Sequence, residues 1–143
     1  MTQLSAGSIL SERGPIADEM ARRGTSFEIR PQQIRMAERV AETLGDRAHL
    51  LVEAGTGVGK SFAYLVPAIL RCVRFGERVV VATNTIALQE QLVSRDIPLL
   101  QRSLEQHLKA LRPLKPVLVK GRGNYVSLRR LALADQHRAR LLS

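Results

Sequence analysis

The stretch EAGTGVGKSF, residues 53–62, constrains the fold of this chain more than any other feature. A short apolar run, HLLVEA, leads into its glycines, and a long apolar segment, KSFAYLVPAILRCVRFG, follows them. Glycines permit tight turns and close approach of a ligand, and the free N–H groups at a helix N-terminus attract anions. The order of strand, glycine loop and helix therefore predicts a phosphate-binding loop.

The residue types within this loop predict separate roles. Lys60 is expected to reach the β and γ phosphates of a nucleotide and to act in catalysis, and the Ser61 hydroxyl is expected to coordinate Mg²⁺. A glycine-rich turn with an incidental lysine is the alternative interpretation. The other predicted nucleotide-binding positions of the loop are Ala54, Gly55, Thr56, Gly57, Val58 and Gly59.

Alternating helix and strand patterns predict an α/β fold with a parallel sheet. Apolar spacing predicts a helix over residues 31–45, and the runs RVVVAT and PVLVKG are typical of buried parallel strands. With HLLVEA they give about three strands, so we expect the sheet to be incomplete. Helices are also predicted over TIALQEQLVSRD and IPLLQRSLEQHLKAL, with a basic helix or frayed tail near the C-terminus. We expect a lead-in segment over residues 1–24, with one short helix in GPIADEMARR, and one domain, or the N-terminal part of one, over residues 25–143.

Positive charge is concentrated in the last third of the chain. The net charge is +9, and residues 97–143 hold 10 Lys/Arg against 2 Asp/Glu, whereas residues 1–96 hold 12 against 11. Clustered Lys and Arg release counterions from nucleic acid, so this asymmetry fits a phosphate-backbone partner. A solvated basic face, or an exposed surface that packs against further parts of a longer chain, would give the same asymmetry.

The remaining composition excludes several classes of protein. The single cysteine, Cys72, excludes an intramolecular disulfide framework and a multi-cysteine metal site. The N-terminus lacks a basic region followed by an apolar core, and the apolar stretch FAYLVPAIL is too short to span a membrane. We therefore expect a cytoplasmic protein with no membrane partner.

Ala54 stands where the strict phosphate-loop pattern has glycine, and AGTGVGKS resembles motif I of superfamily 2 helicases. Together with FEIRPQQ, VVVATNTIALQEQL and VLVKGRGNY, residues 27–130 resemble the DinG branch of XPD-like DNA helicases. The resemblance implies a RecA-like P-loop NTPase fold of three layers and the cofactors ATP and Mg²⁺. It also implies ATP hydrolysis coupled to 5′ to 3′ movement on single-stranded or forked DNA, by a protein that is monomeric in its full-length form.

The same resemblance assigns Gln33, with Arg30 beside it, to recognition of adenine. An amide can both donate to and accept from the adenine edge, although a polar residue in a first helical turn is the simpler alternative. Phe27 is expected either to stack on the base or to lie in the core.

Two further segments are implied to contact DNA. In TNTIALQEQL the implied contacts are Thr83, Asn84 and Thr85 at the strand end, followed by Gln89 and Gln91. The alternative is that TNT only caps the next helix. In KGRGNY they are Lys120 and Arg122, with Tyr125 matching the family signature, and the alternative is an ordinary basic turn.

The chain departs from the family pattern at two points. Ser127 stands where many members have the first cysteine of an iron–sulfur cluster, so a cluster is not supported. No D-E-x-H motif follows Lys60, and the second motor lobe is not represented, so we expect nucleotide and DNA binding without unwinding. A stand-alone binding module, an inactive remnant, or another P-loop NTPase such as a nucleotide kinase are the alternatives.

Overall fold

The computed structural model describes residues 4–108 and 112–141, and these residues are predominantly helical. The N-terminal half contains α1 (Ala6–Ile9), α2 (Pro15–Arg22), α3 (Pro31–Asp46) and α4 (Lys60–Phe75). Next come α5 (Ile86–Gln91), a π-helical turn (Leu92–Asp96) and α6 (Ile97–Leu108), which run on without a break. A 3₁₀ turn (Arg122–Asn124) and α7 (Leu128–Leu141) complete the order.

The predicted α/β fold is wrong for this structure, because the described residues contain no strand and no sheet. The segments 49–54, 78–83 and 116–121 are connections without helix or strand, and no backbone hydrogen bond joins them. Their apolar side chains are widely exposed, with Leu51 at 99%, Val80 at 90% and Val117 at 80%. β-Branched runs only indicate that a segment would suit a pleated, half-buried surface, and here no neighbouring strand provides one. The prediction of a RecA-like three-layer architecture fails for the same reason.

The core is formed by helices alone. The main contact is between α3 and α4, while α1 packs on both of them and α2 packs on α6. Burying apolar side chains at these contacts supplies the main stabilisation of the described fold. The buried apolar cluster consists of Ala6, Ile9, Leu10, Ile16, Ala37, Ala63, Leu65, Val66, Ile69, Leu70, Val73, Leu92, Leu100 and Leu104.

The predicted helices are largely confirmed. The helix predicted to end at Gly45 ends at Asp46, where Arg47 adopts a left-handed conformation with φ 54°. α4 continues through Pro67 as far as Phe75, although a proline inside a helix removes one backbone hydrogen bond. The last three residues of the helix predicted over 97–111 lie outside the described residues.

Residues 4–22 contribute directly to the core. Ser5 and Ser8 form a capping box that starts α1, which sequence inspection did not predict, and Pro15 occupies the first turn of the predicted helix α2. Ile9, Leu10 and Ile16 are fully buried. The division into a lead-in and a domain stays a prediction, but this segment is packed against the helices that follow it.

Candidate nucleotide and nucleic-acid site

The glycine loop enters α4 through two glycines in the left-handed region. Gly57 has φ 82° and Gly59 has φ 80°, and Gly59 is the N-cap of α4. Residues with a Cβ rarely adopt these angles, so the glycines fix the path of the loop into the helix. The first N–H groups of α4 have no acceptor within the helix, which leaves them available to an anion.

Gln33 lies beneath this loop. Its side chain is 98% buried, and its Nε2 donates a hydrogen bond of 2.8 Å to the Gly59 carbonyl. A Cβ added at Gly59 would overlap this amide, so the two residues fit together only with glycine at that position. The Oε1 of Gln33 has no hydrogen-bond partner among the described residues. A buried acceptor without a partner costs about 1–3 kcal/mol, so Gln33 is a place where a donor from outside would be favourable.

Lys60 is folded back on the loop. Its Nζ donates to the carbonyl oxygens of Gly55 at 2.7 Å and Ala54 at 3.1 Å. The side chain remains exposed, and both contacts are to neutral carbonyls. A phosphate oxygen carries more negative charge than a carbonyl, so it would compete well for this ammonium group.

Ser61 belongs to a small polar group on α4. Its hydroxyl lies near the Tyr64 phenol, one helical turn along. The pKa of the Tyr64 phenol is raised above its ordinary value, mainly because the phenol is partly buried; the Ser61 hydroxyl lowers this pKa and the nearby Asp96 carboxylate raises it. The phenol is therefore neutral at physiological pH. Asp96 is itself buried and accepts a hydrogen bond of 3.1 Å from Gln91 Nε2.

The other predicted nucleotide residues surround the loop. Arg30 is the N-cap of α3 and pairs with the carboxylate of Glu28. Thr56 is exposed at the turn and Val58 is half-buried. Phe27 is half-buried and packs against the apolar core, as the core alternative predicted.

An open cavity of about 570 Å³ adjoins the loop. Its walls are the outer face of α3, with Arg35 and Met36, and the chain from Leu50 to Gly55. Ala54, Gly55 and Val58 of the predicted nucleotide loop line it, whereas Gln33 and Lys60 do not, so the cavity adjoins one side of the predicted phosphate site.

The TNT segment leads directly into α5. Thr85 is the N-cap of α5, and its hydroxyl oxygen accepts a hydrogen bond of 3.2 Å from the Leu88 N–H. This is the capping role that was the alternative for this segment. Thr83 donates to the Thr85 carbonyl at 3.1 Å, and Asn84 is exposed.

The structure brings the second half of α5 against the KGRGNY segment. Gln89 Nε2 donates to the Val119 carbonyl at 3.4 Å, and Lys120 Nζ forms an ion pair of 2.8 Å with Glu90. The Lys120 backbone N–H donates to the Tyr125 hydroxyl at 2.8 Å, which closes the segment into a loop. Arg122 begins the 3₁₀ turn at the exposed tip. Gln89, Lys120 and Arg122 therefore share one surface region.

Sequence inspection missed three residues that the structure places beside the predicted ones. Tyr64 follows Ser61 by three positions, so helical spacing could have identified it as a neighbour. Glu90 carries no such signal, because its partner Lys120 is 30 positions away, and Asp96 is likewise distant in sequence from Tyr64. Among the described residues, no group of three or more His, Cys, Asp or Glu side chains could hold a metal ion. No helix in the described part of the chain is long and apolar enough to cross a membrane.

Comparisons with known proteins agree that the chain is similar to helicases. The sequence model of the DEAD/DEAH box helicases matches residues 30–115, which is more than half of the chain. The chain is 52% identical over 101 residues to an ATP-dependent helicase DinG of Mycobacterium tuberculosis, covering 69% of this chain and 15% of that protein. It is 38% identical over 113 residues to the ATP-dependent DNA helicase YoaA of Escherichia coli, covering 79% and 16%.

A further relative is named for a different activity. The chain is 37% identical over 99 residues to a 3′-5′ exonuclease DinG of Staphylococcus aureus, covering 69% of this chain and 10% of that protein. The chain thus spans between a tenth and a sixth of the length of these curated relatives. No solved structure matches it.

Proposed function

The chain belongs to the DEAD/DEAH box helicase family, and from this premise we propose that it binds ATP at residues 54–61 as part of a DinG-type, ATP-dependent DNA helicase. The match to the DinG and YoaA relatives confirms the resemblance found in the sequence. The observation that supports the site best is the loop itself, with Gly57 and Gly59 in left-handed conformations ahead of α4. Helicase activity, strand polarity and substrate belong to the proposal.

Lys60 is the residue on which the phosphate proposal depends most. Among the residues that the structure describes, its ammonium group bonds to the Ala54 and Gly55 carbonyls alone, and transfer to the β and γ phosphates would give it stronger, charge-assisted bonds. Ser61 would offer its hydroxyl oxygen to Mg²⁺, and Tyr64 would keep that hydroxyl in place. When bound, ATP and Mg²⁺ would supply the phosphoryl group and the charge that neutralises it.

The hydrogen bonding of the Gln33 amide supports the proposal that this residue selects adenine. Its Nε2 is occupied by the Gly59 carbonyl, so only the acceptor Oε1 has no partner among the described residues. An acceptor favours a base with an exocyclic amino group, as adenine has at its 6-position, over guanine, which has an oxygen there. Because Oε1 is buried, contact with a base requires the loop or the side chain to shift.

Single-stranded DNA is the proposed partner for the surface formed by α5 and the KGRGNY loop. Short hydroxyl and amide groups at Thr83, Asn84, Thr85 and Gln89 can contact backbone oxygens without selecting a sequence. Lys120 and Arg122 add positive charge beside them. Forked DNA as substrate, the lack of an iron–sulfur cluster, a monomeric full-length protein and a cytoplasmic location stay predictions.

Isothermal titration of the 143-residue chain with ATP and Mg²⁺ tests the nucleotide site. Lys60→Ala is expected to weaken binding by about 10- to 100-fold, because it removes charge-assisted bonds to the phosphates. Lys115→Ala, which removes an exposed lysine outside the loop, is the matched control and is expected to bind as the parent chain does. Equal affinity of the parent and Lys60→Ala would reject the phosphate site.

A further inference from the structure

The contact between α5 and the KGRGNY loop includes one acidic residue on a surface proposed to bind DNA. Glu90 Oε1 lies 2.8 Å from Lys120 Nζ, and we call this ion pair the Glu90–Lys120 bridge. The Glu90 side chain is 57% exposed and that of Lys120 is 27% exposed. The two residues are 30 positions apart, so the pair reflects how the two segments dock rather than local helix spacing.

Lys120 is held in place by its backbone as well as by its charge. Its N–H donates to the Tyr125 hydroxyl at 2.8 Å, and the adjacent Val119 carbonyl accepts from Gln89. The lysine is therefore presented toward α5, and the nearest acidic group there is the one that it pairs with. Among the described residues Arg122 makes no ion pair, which leaves the two cations of this loop in different electrostatic states.

An ion pair changes what a cation can contribute to nucleic-acid binding. A free lysine gains attraction to a phosphate directly, whereas a paired lysine must first give up its carboxylate. The carboxylate that is displaced then lies close to the strand and repels it. Both effects weaken binding at Lys120 relative to the same surface without Glu90.

We propose that Glu90 competes with the DNA phosphate for Lys120 and thereby sets the affinity of this surface for a single strand. The proposal rests on the proposed function, because it takes Lys120 to be a DNA contact. Strand binding exchanges the Glu90–Lys120 bridge for a Lys120–phosphate contact, while α5 keeps the hydrogen bond from Gln89 to the Val119 carbonyl just before the loop.

The test compares Glu90→Gln with Glu105→Gln by fluorescence anisotropy, using a fluorescein-labelled oligothymidylate and the 143-residue chain. Both substitutions remove one negative charge from an exposed site, and Glu105 on α6 forms no ion pair among the described residues, so general charge effects cancel. Glu90→Gln is expected to bind the oligonucleotide about two- to fivefold more tightly than Glu105→Gln, the range expected for losing an exposed pair. Circular dichroism checks that both variants keep the parent helix content.

Lys120→Ala separates failure of this inference from failure of the DNA surface. It is expected to weaken binding and to lower the salt slope by about one, and the gain from Glu90→Gln should vanish in the double variant. If Lys120→Ala weakens binding while Glu90→Gln matches Glu105→Gln, the competition is rejected and the DNA surface stands. If Lys120→Ala leaves affinity unchanged, Lys120 is not a DNA contact, and both proposals fail at this residue.

Discussion

The phosphate loop lies against the helices that form the core, whereas residues 112–130 lie mostly on the surface. Gln33, which supports the loop, is 98% buried and reaches Gly59 directly. The KGRGNY loop is held to α5 by the exposed pair of Lys120 and Glu90 at 2.8 Å, and it is closed internally by the 2.8 Å bond from the Lys120 N–H to the Tyr125 hydroxyl. Single substitutions should therefore have large effects on stability or nucleotide affinity in the first region and small effects on DNA affinity in the second.

The largest expected effect is on the free energy of unfolding, and it distinguishes the core from the surface helix α7. Leu100 is fully buried, and Leu100→Ala should lower the free energy of unfolding by about 3 kcal/mol, because it removes apolar contacts and leaves a cavity. Leu131 is 56% exposed, and Leu131→Ala should change it by less than about 0.5 kcal/mol. Urea denaturation of both variants measures the difference. Equal losses would show that α7 is packed as firmly as the core.

A pair of glycines tests how tightly the loop is fixed. Gly59→Ala places a Cβ on the Gln33 amide at φ 80°, and should cost about 2 kcal/mol of unfolding free energy from strain and displacement of Gln33. Gly55 has no positive φ and open space at its Cβ position, so Gly55→Ala should stay within about 0.5 kcal/mol of the parent. Thermal unfolding followed by circular dichroism provides the comparison. A harmless Gly59→Ala would mean that the loop is not anchored by Gln33.

The structure explains which predictions succeeded. Helices with one apolar face, such as α3 with Ala37 inward, were predictable because their spacing encodes burial on one side. The strands were not, since Val80 and Val117 satisfy the same β-branched pattern whether or not a neighbouring strand is present. Lys60 and Ser61 stand at the start of α4 as the motif predicts. The Gln33–Gly59 bond joins residues 26 positions apart, a contact that spacing alone does not indicate.

Gln33→Leu tests whether the buried amide contributes to recognition of the nucleotide base. The substitution keeps the side-chain bulk but removes both the Oε1 acceptor and the Nε2 donor to the Gly59 carbonyl. Loss of the acceptor should lower ATP affinity by about tenfold, the effect of losing one hydrogen bond in a buried site. GTP affinity should change less, because its base offers no amino donor at that position. Titration with both nucleotides measures the ratio. Parallel losses for ATP and GTP would assign Gln33 to loop support alone.

The smallest effect of a single substitution is expected for DNA affinity in the basic last third of the chain. Arg122→Ala should weaken binding of single-stranded DNA by a few-fold and lower the slope of log affinity against log salt by about one. Arg13→Ala, which removes an exposed arginine from the N-terminal segment, is the charge-matched control. Anisotropy titrations from low to high salt give both slopes. If the salt slope of Arg122→Ala equals that of Arg13→Ala, Arg122 does not contact the DNA.

Amide chemical shifts of the isotope-labelled chain, recorded while ATP and Mg²⁺ are added, test the central claim that residues 54–61 hold the phosphates. The account predicts that the largest shifts occur at Gly57 within the loop and at Gly59, Lys60 and Ser61, which lie around the start of α4. Gln33 should follow them through its bond to the Gly59 carbonyl. Shifts confined to other parts of the chain, with the loop amides unchanged at saturating ATP, would contradict it.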